Sequence, residues 1–180
     1  MRKQIFFTFS ILALSIFSTI AQTDKKSDLI NNLKKQDSLF FKRGFNQCDL
    51  DYLKNHIAID LKFYHDQSGI ESRDICIENT KKYICGDTTK KPIRKVVEES
   101  LEVFPMCNNG VLYGAIKSGI HDFYIREKNK ADIRTSRAKF THLYLLENGI
   151  WLLKEVLSFD HNELSKTKIQ NTFEKKLKIF

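Results

Sequence analysis

The stretch FTHLYLLENGIWLLKEVLSFDH, Phe140 to His161, decides the fold. Two apolar, aromatic-rich arms flank Glu147-Asn148-Gly149. Asn-Gly between such arms marks a tight β-hairpin, because both residues tolerate positive φ. Working outward, Val111 to Arg126 and Ile133 to Leu146 read as long strands, with Asn108-Asn109-Gly110 and Glu127 to Asp132 as their turns. Gly114 and Gly119 suggest bends or bulges within the first of them. Lys95 to Met106 reads as one further strand, ended by Pro105. The second half is therefore a four-stranded antiparallel meander ending at Asp160.

The first half is helical. Leu29, Leu33, Phe40, Phe41 and Phe45 recur on one face, with Lys34, Lys35 and Asp37 opposite. Asp49 is placed to cap a second helix, Leu50 to His56. Asp60 to Asp66 is a short strand, Gln67-Ser68-Gly69 a turn, and Ser72 or Asp74 caps a third helix reaching Ile84. Helices first and strands after give an α+β domain, with about three N-terminal helices packed on one face of a curved antiparallel sheet.

The ends read differently. Arg2 and Lys3 precede a mostly apolar run, Ile5 to Ile20, and Thr19-Ile20-Ala21 supplies small residues for a peptidase. This is the pattern of a secretory signal peptide, residues 1–21, cleaved after Ala21. The run falls short of the ~20 residues that a membrane span needs. The expected layout is a polar leader at 22–27, the domain at 28–163 and a basic amphipathic helix at 164–180. In that tail Ile169, Phe173, Leu177 and Phe180 recur at helical spacing between lysines. The expected location is periplasmic or extracellular, with no transmembrane span once the signal is removed.

Charge sets further bounds. The formal net charge of +8, less the two charges of Arg2 and Lys3, is +6, and much of it lies in the tail. No basic stripe runs through the domain, so nucleic acid is not expected as a partner. Cys48, Cys76, Cys85 and Cys107 show no zinc spacing. In an exported chain they allow three complete pairings, or can remain thiols. Cys76 and Cys85, if on one helix, stand about 13 Å apart along its axis, beyond disulfide reach.

Asn46-Gln47-Cys48-Asp49-Leu50-Asp51, the strand Asp60 to Asp66, Phe140-Thr141-His142 and Gly149 to Leu153 together resemble the nuclear-transport-factor-2-like (NTF2-like) superfamily. That superfamily includes ketosteroid isomerase and the SnoaL-like polyketide cyclases. The likeness runs from about Asp28 to His161 and is nearest to exported bacterial members of unknown function. It implies a cone whose pocket opens between helices and sheet; separately, the expected assembly is a homodimer through the convex sheet face. Isomerase chemistry in that family uses a carboxylate base with a tyrosine and an acid in the oxyanion hole. Those positions fall near His65, Phe41 and Thr141, so two of the three roles are unfilled.

The remaining candidates are histidines beside aspartates. His65-Asp66, His121-Asp122 and Asp160-His161 are neighbours, and His142 lies on a strand. Adjacent strand residues face opposite ways, so each pair offers one member to a pocket. Convergence of His65, His121 and Asp160 or His161 would make an acid–base pair or a facial metal triad. No HxxxH or HExxH spacing points to a metal, and neither a metal nor a cofactor is expected. The expected ligand-lining set is Tyr64, His65, His121, His142, Asp160 and His161, with His65, His121 and Asp160 as catalytic candidates. Glu98 and Glu99 alternate faces, so at most one could point inward.

The functional expectation is an exported domain that binds a small, partly apolar molecule. The alternatives are an isomerase, dehydratase or hydrolase with His65 as base, and an interaction module working through the sheet face or the tail.

Overall fold

A computed structural model describes residues 27–36 and 38–163. The expected signal peptide, nearly all of the leader and the basic tail lie outside the described residues. Helix α1 covers residues 27–36 and 38–40 and continues as a wider, π-helical turn, Phe41–Asn46. Helix α2, Leu50–Asn55, begins where Asp49 predicts it: the Asp49 carboxylate accepts the Tyr52 N–H at 3.0 Å. Helix α3, Arg73–Asn79, also continues as a π-helical turn, Thr80–Ile84. Among the described residues no helix is long and apolar enough to cross a membrane.

The sheet has seven strands: β1 Ile57–His65, β2 Gly69–Ser72, β3 Lys90–Val96, β4 Glu102–Asn108, β5 Val111–Glu127, β6 Ile133–Glu147 and β7 Ile150–Glu163. Its order is β2-β1-β7-β6-β5-β3, with β4 also on β5. The turns at Asn109-Gly110 and Asn148-Gly149 have positive φ at both residues, as the hairpin reading requires. Gly114 lies beside a one-residue bulge, where Met106 pairs with Gly114 but Cys107 with Leu112. A Cβ on Gly114 would come within 2.9 Å of the Tyr144 carbonyl oxygen, so only glycine lets β6 pass this close.

Three sequence expectations need correction. Lys95 to Met106 is not one strand. It breaks at Val97 into β3, a 3-10 turn at Glu98–Ser100, and β4. The two pieces pair with successive halves of β5, β3 with 121–127 and β4 with 111–118. Residues 69–72 form the extra strand β2, hairpinned onto β1. The sheet is not wholly a meander either, because β1 runs parallel to β7.

The core lies between α1, α2 and the inner face of the sheet. Leu33 of α1 packs with Leu101, Val103, Ala115 and Phe140. Phe40, Tyr52 and Leu53 pack with Ile57, Leu61, Tyr144, Leu153 and Val156. Each fully buried large side chain contributes roughly 1.5–3 kcal/mol. The fully buried Lys117 donates to the Leu33 carbonyl at 2.5 Å, and its ammonium lies 4.1 Å from the Tyr144 ring centroid. Asn46 acts as an extra rung beside β3. Its amide donates to the Arg94 carbonyl and its side-chain oxygen accepts the Arg94 N–H, both at 2.8 Å. Cys48 and Cys85 form a disulfide that joins the chain just beyond the π-helical turns of α1 and α3. Cys76 and Cys107 are thiols.

Strand alternation separates His121 from Asp122 as expected. His121 turns inward, and Asp122 meets Arg137 directly across the β5–β6 ladder. Arg137 donates to both Asp122 oxygens, at 2.7 and 2.9 Å, and Arg134 adds a contact at 3.4 Å. The Arg137 bonds, outweighing burial, hold the Asp122 carboxyl below its ordinary value. A carboxyl held low in the folded state stabilises the fold above the unfolded titration range, near about pH 4. That stability is lost as pH falls through and below this range. Asp122→Asn is therefore expected to cost about 1.5–3 kcal/mol at pH 7. Thermal melts between pH 7 and pH 2 should also show a shallower acid-side decline than in the wild type. An equal slope in the two proteins would remove Asp122 from this account.

Candidate functional site

Between the helices and the inner sheet face is a cavity of about 450 Å³. This is within the usual range for small-molecule sites. Its wall is chiefly aromatic: Phe41 and Phe45 from the π-helical turn after α1, Phe63 from β1 and Phe123 from β5. Polar groups enter from Arg94, His65, His121, His142, Glu71 and Ser158. The rings form a continuous series along the sheet. Phe41 stacks on His142 at 5.3 Å, His142 meets Phe140 at 4.5 Å, and Phe140 stacks on His121 at 5.1 Å. Beyond that, Phe123 bridges His121 and His161 at 4.6 and 6.2 Å, and His161 stacks on His65 at 4.4 Å.

Arg94, on β3, is nearly buried and donates through Nε to His121 Nδ1 at 2.8 Å. Its guanidinium lies 3.5 Å from the Phe41 ring centroid. The planar cation thus forms part of the wall between α1 and β5. Cys76 also lines the cavity, and burial pushes its thiol up to about 12, so it is not a ready nucleophile. Glu71 on β2 is the inward carboxylate. It is buried, lies opposite Phe63, and accepts from the Ser68 hydroxyl at 3.0 Å. Glu98 and Glu99, the acids considered from sequence, lie in the 3-10 turn instead.

A second polar cluster forms at the β1–β7 corner. The parallel ladder sets His65 beside Ser158. The Asp66 N–H donates to the Ser158 carbonyl at 3.1 Å. One residue of β7 bulges here: Lys139 pairs with Phe159, yet Arg137 pairs with Asn162. Asp160 takes up the bulge at φ +59°, which suits an aspartate better than most residues. The break in alternation brings His161 round to Ser158. His161 Nε2 is 3.3 Å from Ser158 Oγ, and His161 Nδ1 is 2.5 Å from Asp66 Oδ1. The His161 N–H also donates to Asp66 Oδ2 at 3.2 Å. Burial acts to raise the Asp66 carboxyl, but these bonds from His161 outweigh it and hold the group below its ordinary value. Burial, then the neighbouring His161, lowers His65, against the opposing charges of Asp66 and Glu71.

The sequence-derived candidates therefore separate. His65, His121 and His142 line the cavity. His161 joins His65 through the ring stack and is largely buried. Tyr64 is not among the lining residues, because it alternates away from His65 and lies opposite Ile70 and Leu157 on the outer face. Asp160 is half exposed and binds Lys139 at 2.9 Å, so its backbone rather than its carboxylate shapes the corner. Phe41 lies in the wall without a hydroxyl, and Thr141 meets Ser118 at 3.4 Å on the outer face. Neither fills the oxyanion role at its position. Sequence reasoning missed Ser158, Glu71 and Arg94 as wall residues. Arg94 was visible as a charge on a strand, but nothing local marks Glu71 or Ser158.

Among the described residues, the ligand atoms of His65, Asp66 and His161 lie within 4.8 Å of one another, close enough to hold a metal ion. The existing bonds compete with that use. Gln67 N–H donates to His65 Nδ1 at 3.1 Å, and His161 Nδ1 faces Asp66.

No family model matches the chain, and no curated protein matches it. Solved structures do. ActVI-ORFA from Streptomyces coelicolor superposes with TM-score 0.58 at 10% identity, over 73% of this chain and 98% of that one. A nuclear transport factor 2 (NTF2-like) superfamily protein from Salmonella enterica gives 0.55 at 14% identity, over 78% and 95%. An NTF-2 like protein of unknown function from Shewanella oneidensis gives 0.51 at 18% identity, over 72% and 98%. At these identities the likeness concerns the fold, and it agrees with the bent sheet and the cavity beneath α1: the chain has the NTF2-like α+β fold.

Proposed function

We propose that the protein is exported and captures a small, partly apolar molecule in the cone cavity. One observation carries the reading: a cavity of about 450 Å³ walled by phenylalanines, with a few polar groups from Arg94, Glu71 and the histidines at fixed positions. An apolar wall with sparse, oriented polar groups is what a small-molecule site requires. The naphthyl dye N-phenyl-1-naphthylamine should bind with fluorescence enhancement at micromolar concentrations. Asn79→Trp, which places an indole at the helix α3 side of the cavity, should weaken that binding about tenfold or more while leaving the melting temperature within a few degrees. Equal binding by the two proteins would move the dye, and the functional site, elsewhere.

Export is supported by the Cys48–Cys85 disulfide, since such bonds persist in oxidising compartments. A homodimer through the outer sheet face is supported by the exposed Ile70, Phe104 and Leu157 on that face. Protein recovered from outside the cytoplasm should begin at Gln22, contain the Cys48–Cys85 bond and sediment as a dimer. A chain that begins at Met1 with reduced cysteines would overturn the export reading. A monomer at micromolar concentration would overturn the dimer.

A further inference from the structure

We propose that Ser158, His161 and Asp66 form a nucleophile, base and orienting carboxylate for acyl transfer to water, with a small carboxylic ester as the substrate. The proposal deepens the cavity-binding reading and rests on it. The order of contacts fixes the protons. An ionised Asp66 can only accept, so His161 Nδ1 carries the hydrogen of the 2.5 Å contact. That leaves a lone pair on His161 Nε2, facing the Ser158 hydroxyl at 3.3 Å. The arrangement is recognised by geometry and roles rather than by position in the chain. The distance to Ser158 is long for a hydrogen bond, as is common before substrate tightens a site.

Two further features support a reacting centre here. Ser158 is buried from bulk solvent yet lines the cavity, so a bound ester would reach it from inside. His65, its neighbour on the parallel ladder, also lines the cavity. Because Gln67 N–H donates to His65 Nδ1, the ring hydrogen of neutral His65 sits on Nε2. This N–H is the donor offered to the carbonyl oxygen as it gains charge.

The reaction balances with water as the second reactant. Ser158 Oγ bonds to the ester carbonyl carbon, and its proton passes to His161 Nε2. The tetrahedral adduct collapses with cleavage of the C–O bond to the alcohol part, which leaves with the proton from His161. Water then adds to the acyl-serine and gives a proton to His161. The carboxylic acid departs as the bond to Ser158 Oγ breaks, and the proton returns to that oxygen.

Asp66 acts through His161 and is a positioning residue. The probe is an alkyl fluorophosphonate, whose phosphorus takes the place of the carbonyl carbon and whose fluoride is the leaving group. Incubation with EDTA-treated protein, followed by peptide mass mapping, should place one adduct on Ser158, and Ser158→Ala should take none. His161→Gln should slow labelling about a hundredfold or more. Asp66→Asn should slow it about a hundredfold or more, because an amide can donate to Nδ1 and favour the wrong tautomer, and Asp66→Glu should recover part of that loss. Hydrolysis of p-nitrophenyl butyrate should follow the same order. Wild-type protein that binds the naphthyl dye but takes no adduct, or takes it on another residue, overturns the relay and leaves the cavity reading standing. So does labelling that survives in His161→Gln. Protein that neither binds the dye nor takes the adduct overturns the cavity reading itself.

Discussion

The parallel hydrogen-bonded pairing of β1 with β7 is the constraint on which the site depends. It joins the first strand of the domain to the last, with Phe63 against Val156 and His65 against Ser158. Without it the inner sheet face would end at β7, and the cavity would have no wall on the side of His65. The pairing closes the chain between β1 and β7, with His65 and Ser158 93 positions apart, so its loop-closure cost falls on everything between. The helices offset that cost. Phe40 and Leu53 pack with Ile57, Leu61, Leu153 and Val156 in one cluster, which holds both strands from the same side.

The cavity follows from how α1 is held off the sheet. Lys117 anchors the helix at the Leu33 carbonyl, and Asn46 fixes the end of its π-helical turn to the backbone of β3. Between these points Phe41 turns its ring onto His142 and the Arg94 guanidinium. The rings and the flat cation give a wall that is apolar in area yet able to donate hydrogen bonds at set positions. Four of the five histidines belong to this series, and the fifth, His56, stacks on Tyr52 instead.

Much of the fold was legible because its signals are local. Asn148-Gly149 fixed the final hairpin and Asp49 capped α2, whereas the inner face of β6, Ala138, Phe140, His142 and Tyr144, emerged only with the register of the sheet. The break at Val97 was hidden because neither glycine nor proline stands at it, and Val96-Val97-Glu98-Glu99-Ser100 reads on as a mixed apolar and charged run. Strand β2 was hidden in four residues between a turn and a helix cap. The site was less legible still. Its corner depends on a parallel partner 93 positions away, His65 with Ser158, and on a bulge at Asp160. Neither leaves a mark at Ser158. The Asp160-His161 pair was noticed for its titratable groups, whereas its contribution is a positive φ that carries His161 across the strand.

The central claim is that the cone is an open binding cavity rather than packed core. A crystal structure of protein purified without refolding, with any co-purified molecule retained, tests it most directly. The account predicts ordered non-protein density between the Phe41–His142 stack and the His65–Ser158 corner. A cavity closed by inward rotation of Phe45, Phe63 and Phe123, with no space left between helices and sheet, would contradict it.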